Sequence, residues 1–129
     1  MGSANGGVFK STNTGGSWTP IFDEFNAYSI GALALNPLNT NMLYVGTGES
    51  APAIDTYDGN GVYRTSDGGA SWEHLGLAST ARIARVAVHP ANPARVFVAA
   101  MGRQFSTGPD RGLYRSEDAG VTWSKVLFV

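Results

Sequence analysis

One eight-residue pattern occurs three times in this chain, and any fold assigned to it must account for all three copies. They read Ser11-Thr12-Asn13-Thr14-Gly15-Gly16-Ser17-Trp18, Thr65-Ser66-Asp67-Gly68-Gly69-Ala70-Ser71-Trp72 and Ser116-Glu117-Asp118-Ala119-Gly120-Val121-Thr122-Trp123. A short apolar run precedes each: Gly7-Val8-Phe9-Lys10, Gly61-Val62-Tyr63-Arg64 and Gly112-Leu113-Tyr114-Arg115. The unit is a strand, a tight turn and the start of an aromatic strand. In such a turn a hydroxyl or carboxylate bonds nearby backbone amides and Gly supplies the left-handed backbone. The Trp is expected to pack across the hairpin as an apolar plug. This chemistry is structural.

The tryptophans fall 54 and 51 residues apart, which points to a repeat of about fifty residues. A second block confirms the period. Ile30-Gly31-Ala32-Leu33-Ala34-Leu35-Asn36-Pro37 with Asn41-Met42-Leu43-Tyr44-Val45-Gly46 returns 53 residues later as Ile83-Ala84-Arg85-Val86-Ala87-Val88-His89-Pro90 with Ala94-Arg95-Val96-Phe97-Val98-Ala99. Both are β-branched and small-apolar runs broken by a Pro turn, so each period holds four strands, lettered A to D. Residues 29–81 and 82–129 then give two complete units. Residues 1–28 give half of one, strands C and D.

The three turns resemble the Asp-box, or BNR repeat (Ser-x-Asp-x-Gly-x-x-Trp). That repeat occurs in sialidases, sortilin-type receptors, xyloglucanase-like glycoside hydrolases and photosystem assembly factors. The linking blocks look like WD40/YVTN/BNR-like repeats, and the likeness runs from Gly7 to Val129. The third box fits fully, the second carries Thr65 for Ser, and the first has Asn13 for Asp. The resemblance implies an all-β fold, a β-propeller of four-stranded antiparallel blades, of which this chain supplies about two and a half. Propellers close with four to eight blades, so self-association or further blades are the expected partners.

Composition narrows the function classes. At 43% hydrophobic and 15% charged residues this is an ordinary globular chain. No apolar run is long enough for a membrane span. A net charge of −1 argues against nucleic acid as a partner. The charge is uneven: residues 1–60 carry five acids against Lys10, net −4, and residues 61–129 carry Lys125 and seven Arg against five acids, net +3. Without Cys, no disulfide or thiolate chemistry is available, and the compartment stays open. The start, Met1 to Gly6, lacks the charged and apolar regions of a secretory leader. No Gly-rich phosphate cradle occurs, and neither a cofactor nor a metal is expected.

Propeller geometry puts the A-to-B turns and the Asp-boxes on one side. The longer D-to-A and B-to-C connections lie on the other, where a rigid scaffold usually carries its binding residues. The longest, Gly46 to Asn60, holds Glu49, Asp55, Tyr57 and Asp58. Its counterpart, Gly102 to Arg111, holds Arg103, Asp110 and Arg111, and Arg82 enters the neighbouring inner strand. Together these eight are the candidate ligand-binding residues. Tyr57 could stack on a sugar while carboxylates accept its hydroxyls. A plain solvated loop, a calcium site and an Arg clamp for a carboxylate are the competing readings.

Two functions stay open. One is a scaffold or binding module that engages carbohydrate or protein through these loops. The other is part of a glycosidase-type enzyme, whose general acid and base would be two loop carboxylates about 5 to 10 Å apart. Catalytic residues cannot be named from the sequence: the Tyr-Glu pair and Phe-Arg-Ile-Pro type motif of sialidases are absent. His89 stands where the first block has Asn36, which marks it as a turn residue. Phe9, Tyr63 and Tyr114 recur at one position, as do Tyr44 and Phe97, and are assigned to packing between blades. Tyr28, Tyr57 and Phe105 break the repeat and are better placed for ligand contact.

Overall fold

The computed structural model describes residues 1–51 and 53–128. The chain is all-β, with a single 3-10 turn among the described residues, at Ala78–Thr80. The strands in order are β1 (Phe9–Lys10), β2 (Thr19–Pro20), β3 (Ile30–Asn36), β4 (Asn39–Thr47), β5 (Val62–Thr65), β6 (Glu73–His74), β7 (Ile83–Val88), β8 (Val96–Ala100), β9 (Gly112–Ser116) and β10 (Ser124–Phe128). They form two four-stranded meanders, β3-β4-β5-β6 and β7-β8-β9-β10, and the two-stranded sheet β1-β2, with every pairing antiparallel. These are the blades of a propeller.

The Asp-box holds its turn with side chains. Thr65 Oγ1 accepts from the Gly69 amide at 2.9 Å, and Asp67 Oδ1 accepts from the Ser71 amide at 2.8 Å. Ser116 and Asp118 repeat both bonds, to Gly120 and Thr122. Asn13 keeps the pattern without a charge: its Oδ1 accepts from the Ser17 amide at 2.8 Å, and its Nδ2 donates to Ser17 Oγ at 2.9 Å. In the other two boxes the carboxylate accepts from a hydroxyl at that place. The substitution at Asn13 therefore reverses one hydrogen bond and preserves the turn.

The box Trp does more than plug its own hairpin. Trp72 Nε1 donates to the carbonyl of Ile21 at 2.7 Å, and Trp123 Nε1 to that of Leu75 at 2.8 Å, so each indole is tied to the preceding blade. A second tie runs the other way. Lys10 Nζ donates to the Gly68 carbonyl at 2.9 Å, and Arg64 Nη1 to the Ala119 carbonyl at 2.7 Å. Both acceptors sit at the same box position, in left-handed backbone with φ of 71° and 58°. Adjacent blades are thus latched by reciprocal bonds to main-chain carbonyls.

Apolar packing fills the seams between the latches. Tyr44 and Val62 meet Ile83, Val86, Val96 and Val98 in one cluster, and Val8 and Phe22 meet Val45 and Tyr63 in the other. Phe22 lies edge-on to both Tyr63 and Trp72, with centroids 5.0 Å away in each case. Near the axis β3 and β4 press on β7 so closely that two positions require glycine. A Cβ on Gly31 would stand 2.0 Å from the Ile83 carbonyl oxygen, and one on Gly46 would stand 2.4 Å from Ile83 Cγ2.

Residues before Gly7 carry no repeat signal in sequence, yet they pair. Gly2 bridges Val8 in the antiparallel sense, and the Ser3 amide donates to the Gly7 carbonyl at 2.9 Å, matching the bond from Thr47 to Gly61 at 3.0 Å. Met1-Gly2-Ser3 therefore lies where the end of strand B lies in the next blade. The first unit has more than the C and D strands expected of it.

Candidate functional site

Two B-to-C loops lie side by side at one end of the blades, and the strands that carry them fix their necks. The Thr47 hydroxyl donates to the Gly61 carbonyl at 2.7 Å and accepts from the Asn60 amide at 2.8 Å, closing the first loop. The Gly48 amide bonds Ser29, and the Gly59 amide bonds Ala81, on the connection just ahead of the next blade. In the second loop the Met101 amide donates to the Arg82 carbonyl, while Arg82 Nε returns a bond to the Gly102 carbonyl at 3.1 Å.

Gln104 joins the loops. Its Nε2 donates to the Ala53 carbonyl at 2.6 Å, and its Oε1 accepts from Thr56 Oγ1 and, at 3.3 Å, from Arg82 Nη1. Between the loops opens a cleft of about 440 Å³, lined by Ile54, Thr56, Tyr57, Asp58, Arg103, Gln104, Phe105 and Ser106. Its apolar groups stand in solvent: Ile54 is 95% exposed, Phe105 85% and Tyr57 54%. One wall carries a carboxylate and the other a guanidinium. Exposed aromatics flanked by hydrogen-bonding groups suit a polar ligand with apolar faces.

Of the eight residues expected from sequence, three line this cleft: Tyr57, Asp58 and Arg103. Asp55 is exposed on the same loop, and Glu49 sits at its neck, its amide bonded to the Tyr57 carbonyl at 2.9 Å. Arg82 is buried and supports the second loop from beneath. Arg111 likewise turns inward, its Nε donating to the Met101 carbonyl at 2.7 Å. Asp110 Oδ1 accepts from Ser79 Oγ at 2.9 Å, on the D-to-A connection. Ile54, Thr56 and Gln104 are functional candidates that sequence reading passed over; their shared signal is that they, like Phe105, lie in loops that break the repeat.

Asp58 is the one carboxylate among the described residues lining the cleft. The described residues hold no group of three or more His, Cys, Asp or Glu placed to bind a metal ion. The most perturbed carboxylates lie elsewhere, in the Asp-boxes. Bonds from the hydroxyls of Ser116 and Thr122 and from the Thr122 amide hold Asp118 down at about 2, and those from Ser71 and Thr65 push Asp67 lower still. That depression is the turn's own hydrogen bonding. A larger cavity, about 670 Å³, lies in the seam between the first unit and the next, against Met1, Phe9, Trp18, Leu33 and Leu35. It is a packing groove remote from the loop face.

Comparison with known proteins agrees with this architecture. The chain is 30% identical over 135 residues to a xyloglucanase of Hypocrea jecorina, covering 94% of this chain and 15% of that protein. It is 32% identical over 127 residues to a probable oligoxyloglucan-reducing end-specific xyloglucanase of Neosartorya fischeri, covering 95% of this chain and 14% of that one. Among solved structures, an ancestral GH74 enzyme superposes with a TM-score of 0.75 at 26% identity, over 98% of this chain and 16% of its own. The chain thus spans about a seventh of the length of these relatives. The family model described as "Sortilin, neurotensin receptor 3" matches residues 6–128, and the chain belongs to this Sortilin-Vps10 family of Asp-box propellers.

Proposed function

We propose that this chain is a blade segment of a glycoside-hydrolase-related propeller and that its paired B-to-C loops bind a glucan chain of the xyloglucan type. The observation that carries the reading is the convergence, from two successive blades, of Tyr57, Phe105, Asp58 and Arg103 on one open cleft. Aromatic rings offer stacking surface to the C–H faces of sugars, and Asp58, Arg103, Thr56 and Gln104 offer donors and acceptors to hydroxyls. Relatives with the same blades are named xyloglucanases, which supports the ligand class.

The cleft favours binding over catalysis. Glycoside hydrolysis requires two carboxylates across one bond, and a single carboxylate lines this cleft among the described residues. The chain alone is expected to hold glycan without cleaving it. Calorimetric titration with xyloglucan oligosaccharides checks this, with maltose as the control sugar. Binding that Phe105→Ala and Asp58→Asn both weaken by about tenfold supports the reading. Binding untouched by either variant, or none at millimolar sugar, overturns it.

A further inference from the structure

Arg82 is a buried cation with no carboxylate against it. It is 3% exposed. Its Nε donates to the Gly102 carbonyl at 3.1 Å and its Nη1 to Gln104 Oε1 at 3.3 Å, both neutral acceptors, and its Nη2 donates to no described residue. The ion pairs among the described residues are Arg64–Glu73, Arg95–Glu117 and Arg115–Glu117, all away from the cleft. A guanidinium buried without a counter-charge gives up hydration that bonds to neutral groups only partly return.

The fold does not require that cation. Ser29 stands 53 residues earlier, at the same place before its inner strand, and is equally buried at 2% exposed. The main-chain bonds match too: the Gly48 amide donates to the Ser29 carbonyl at 2.8 Å, and the Met101 amide to the Arg82 carbonyl at 2.8 Å. One blade fills the position with a hydroxymethyl group and the next with a guanidinium. The difference lies in what is above. Gln104, whose side-chain oxygen meets Arg82, lines the cleft beside Arg103. Arg103 is exposed and belongs to none of the ion pairs.

We propose that the glycan taken by this cleft is acidic, a glucan bearing a uronate, and that Arg103 holds the uronate carboxylate above the charge of Arg82. This rests on the glycan reading of the cleft and narrows it. A guanidinium offers a fork of donors that matches a carboxylate. Burial keeps the field of Arg82 from being screened as an exposed charge is. The acids of the site set the ligand's direction. Asp55 and Asp58 are exposed on the opposite loop, with Asp58 lining the cleft and Glu49 at the loop's neck, so that wall repels a carboxylate and accepts sugar hydroxyls. On the second loop Asp110 is the one acid, engaged by Ser79 Oγ, against Arg103 and Arg111. The carboxylate therefore falls on the Arg103 wall.

The test titrates xyloglucan oligosaccharides, and the same oligosaccharides after oxidation of their primary alcohols to carboxylates, at one ionic strength. The readout is the ratio of the two affinities within each protein, which cancels changes in loop order common to both sugars. The oxidised sugars are expected to bind about tenfold tighter. Arg103→Gln should bring the ratio to about one, and Arg82→Gln should lower it while Arg82→Lys, which keeps the charge, largely restores it. Arg103 is exposed, so its variant decides the matter even where a change at buried Arg82 costs the fold, which far-UV circular dichroism monitors. Equal affinities in the parent overturn the proposal and leave a neutral-glycan cleft; failure of both sugars to bind overturns the glycan reading and the proposal with it. A preference that survives Arg103→Gln, or that acetate alone reproduces, also overturns it.

Discussion

Trp123 and Leu75, 48 residues apart, are joined by an indole N–H donating 2.8 Å to a main-chain carbonyl across the seam between two blades. The carbonyl is free to accept because the pairing to Val62 steps past it: the Leu75 amide donates to the Val62 carbonyl at 2.8 Å, while the Val62 amide donates to the Gly76 carbonyl at 3.0 Å. The bond therefore reports blade docking rather than hairpin formation. Trp123→Phe keeps most of the apolar contact with the cluster that holds Tyr44 and Val62 and leaves the Leu75 carbonyl unpaired. The expected loss is about 1 to 2 kcal/mol in chemical denaturation. Trp123→Ala adds a cavity and should cost about 3 kcal/mol or more. Equal losses from the two variants would assign the whole effect to the hydrogen bond and contradict a packing role.

The boxes also set the acid limb of stability. Asp118 titrates at about 2 in the folded chain against an ordinary 3.8, because hydroxyls and an amide bond its ionised form. A depressed carboxylate contributes stability that is fully present above the ordinary value and is lost as pH falls through the folded one. The loss should therefore fall between about pH 4 and pH 2. Asp67 extends the limb to lower pH in the same sense. Urea midpoints measured from pH 5 to pH 2 should drop less steeply in Asp118→Asn than in the parent. Asn13, which holds its turn with an amide, shows that this variant can keep the geometry.

The reach of sequence reading follows from which contacts are local. Box geometry and blade order were legible because their hydrogen bonds span two to four residues and recur three times. Cross-blade latches were not, since a carbonyl acceptor such as that of Ile21 or Leu75 leaves no mark on its side chain. Met1-Gly2-Ser3 escaped notice because three residues are too few for a periodic signal. In the loops, charge alone could not tell Arg103, which lines the cleft, from Arg82, which is buried under it. Burial there is decided by the inner strand that carries Arg82, and the two residues look alike in sequence.

The axis offers a steric prediction. Gly31 and Gly46 lie against Ile83 at distances that admit no Cβ, and the clash at Gly31 is with backbone. Gly46→Ala is expected to lose about 1 to 3 kcal/mol, because the Ile83 side chain can partly yield. Gly31→Ala should sit at the upper end of that range or above. Thermal melts of the two variants give the order. An Ile83→Ala background should relieve Gly46→Ala in part and leave Gly31→Ala uncorrected, because a shorter side chain at 83 vacates Cγ2 but leaves Cβ, 2.9 Å from the carbon added at 46, and the carbonyl in place.

Gln104 makes the cleft a single object instead of two loops. Its amide spans from the Ala53 carbonyl on one blade to the guanidinium of Arg82 on the next, with Thr56 closing the triangle. Gln104→Ala removes all three bonds at a half-buried position on the loop, so global stability should move by no more than about 2 kcal/mol. Local order should move much more. Backbone amides of residues 53–58 are expected to exchange with solvent at least about tenfold faster, while those of β4 and β8 keep their protection. Glycan affinity at the cleft should fall in parallel, because loops that must be ordered on binding charge that entropy against it. Exchange that accelerates without any fall in affinity would separate the two roles and place the sugar contacts on Tyr57 and Phe105 alone.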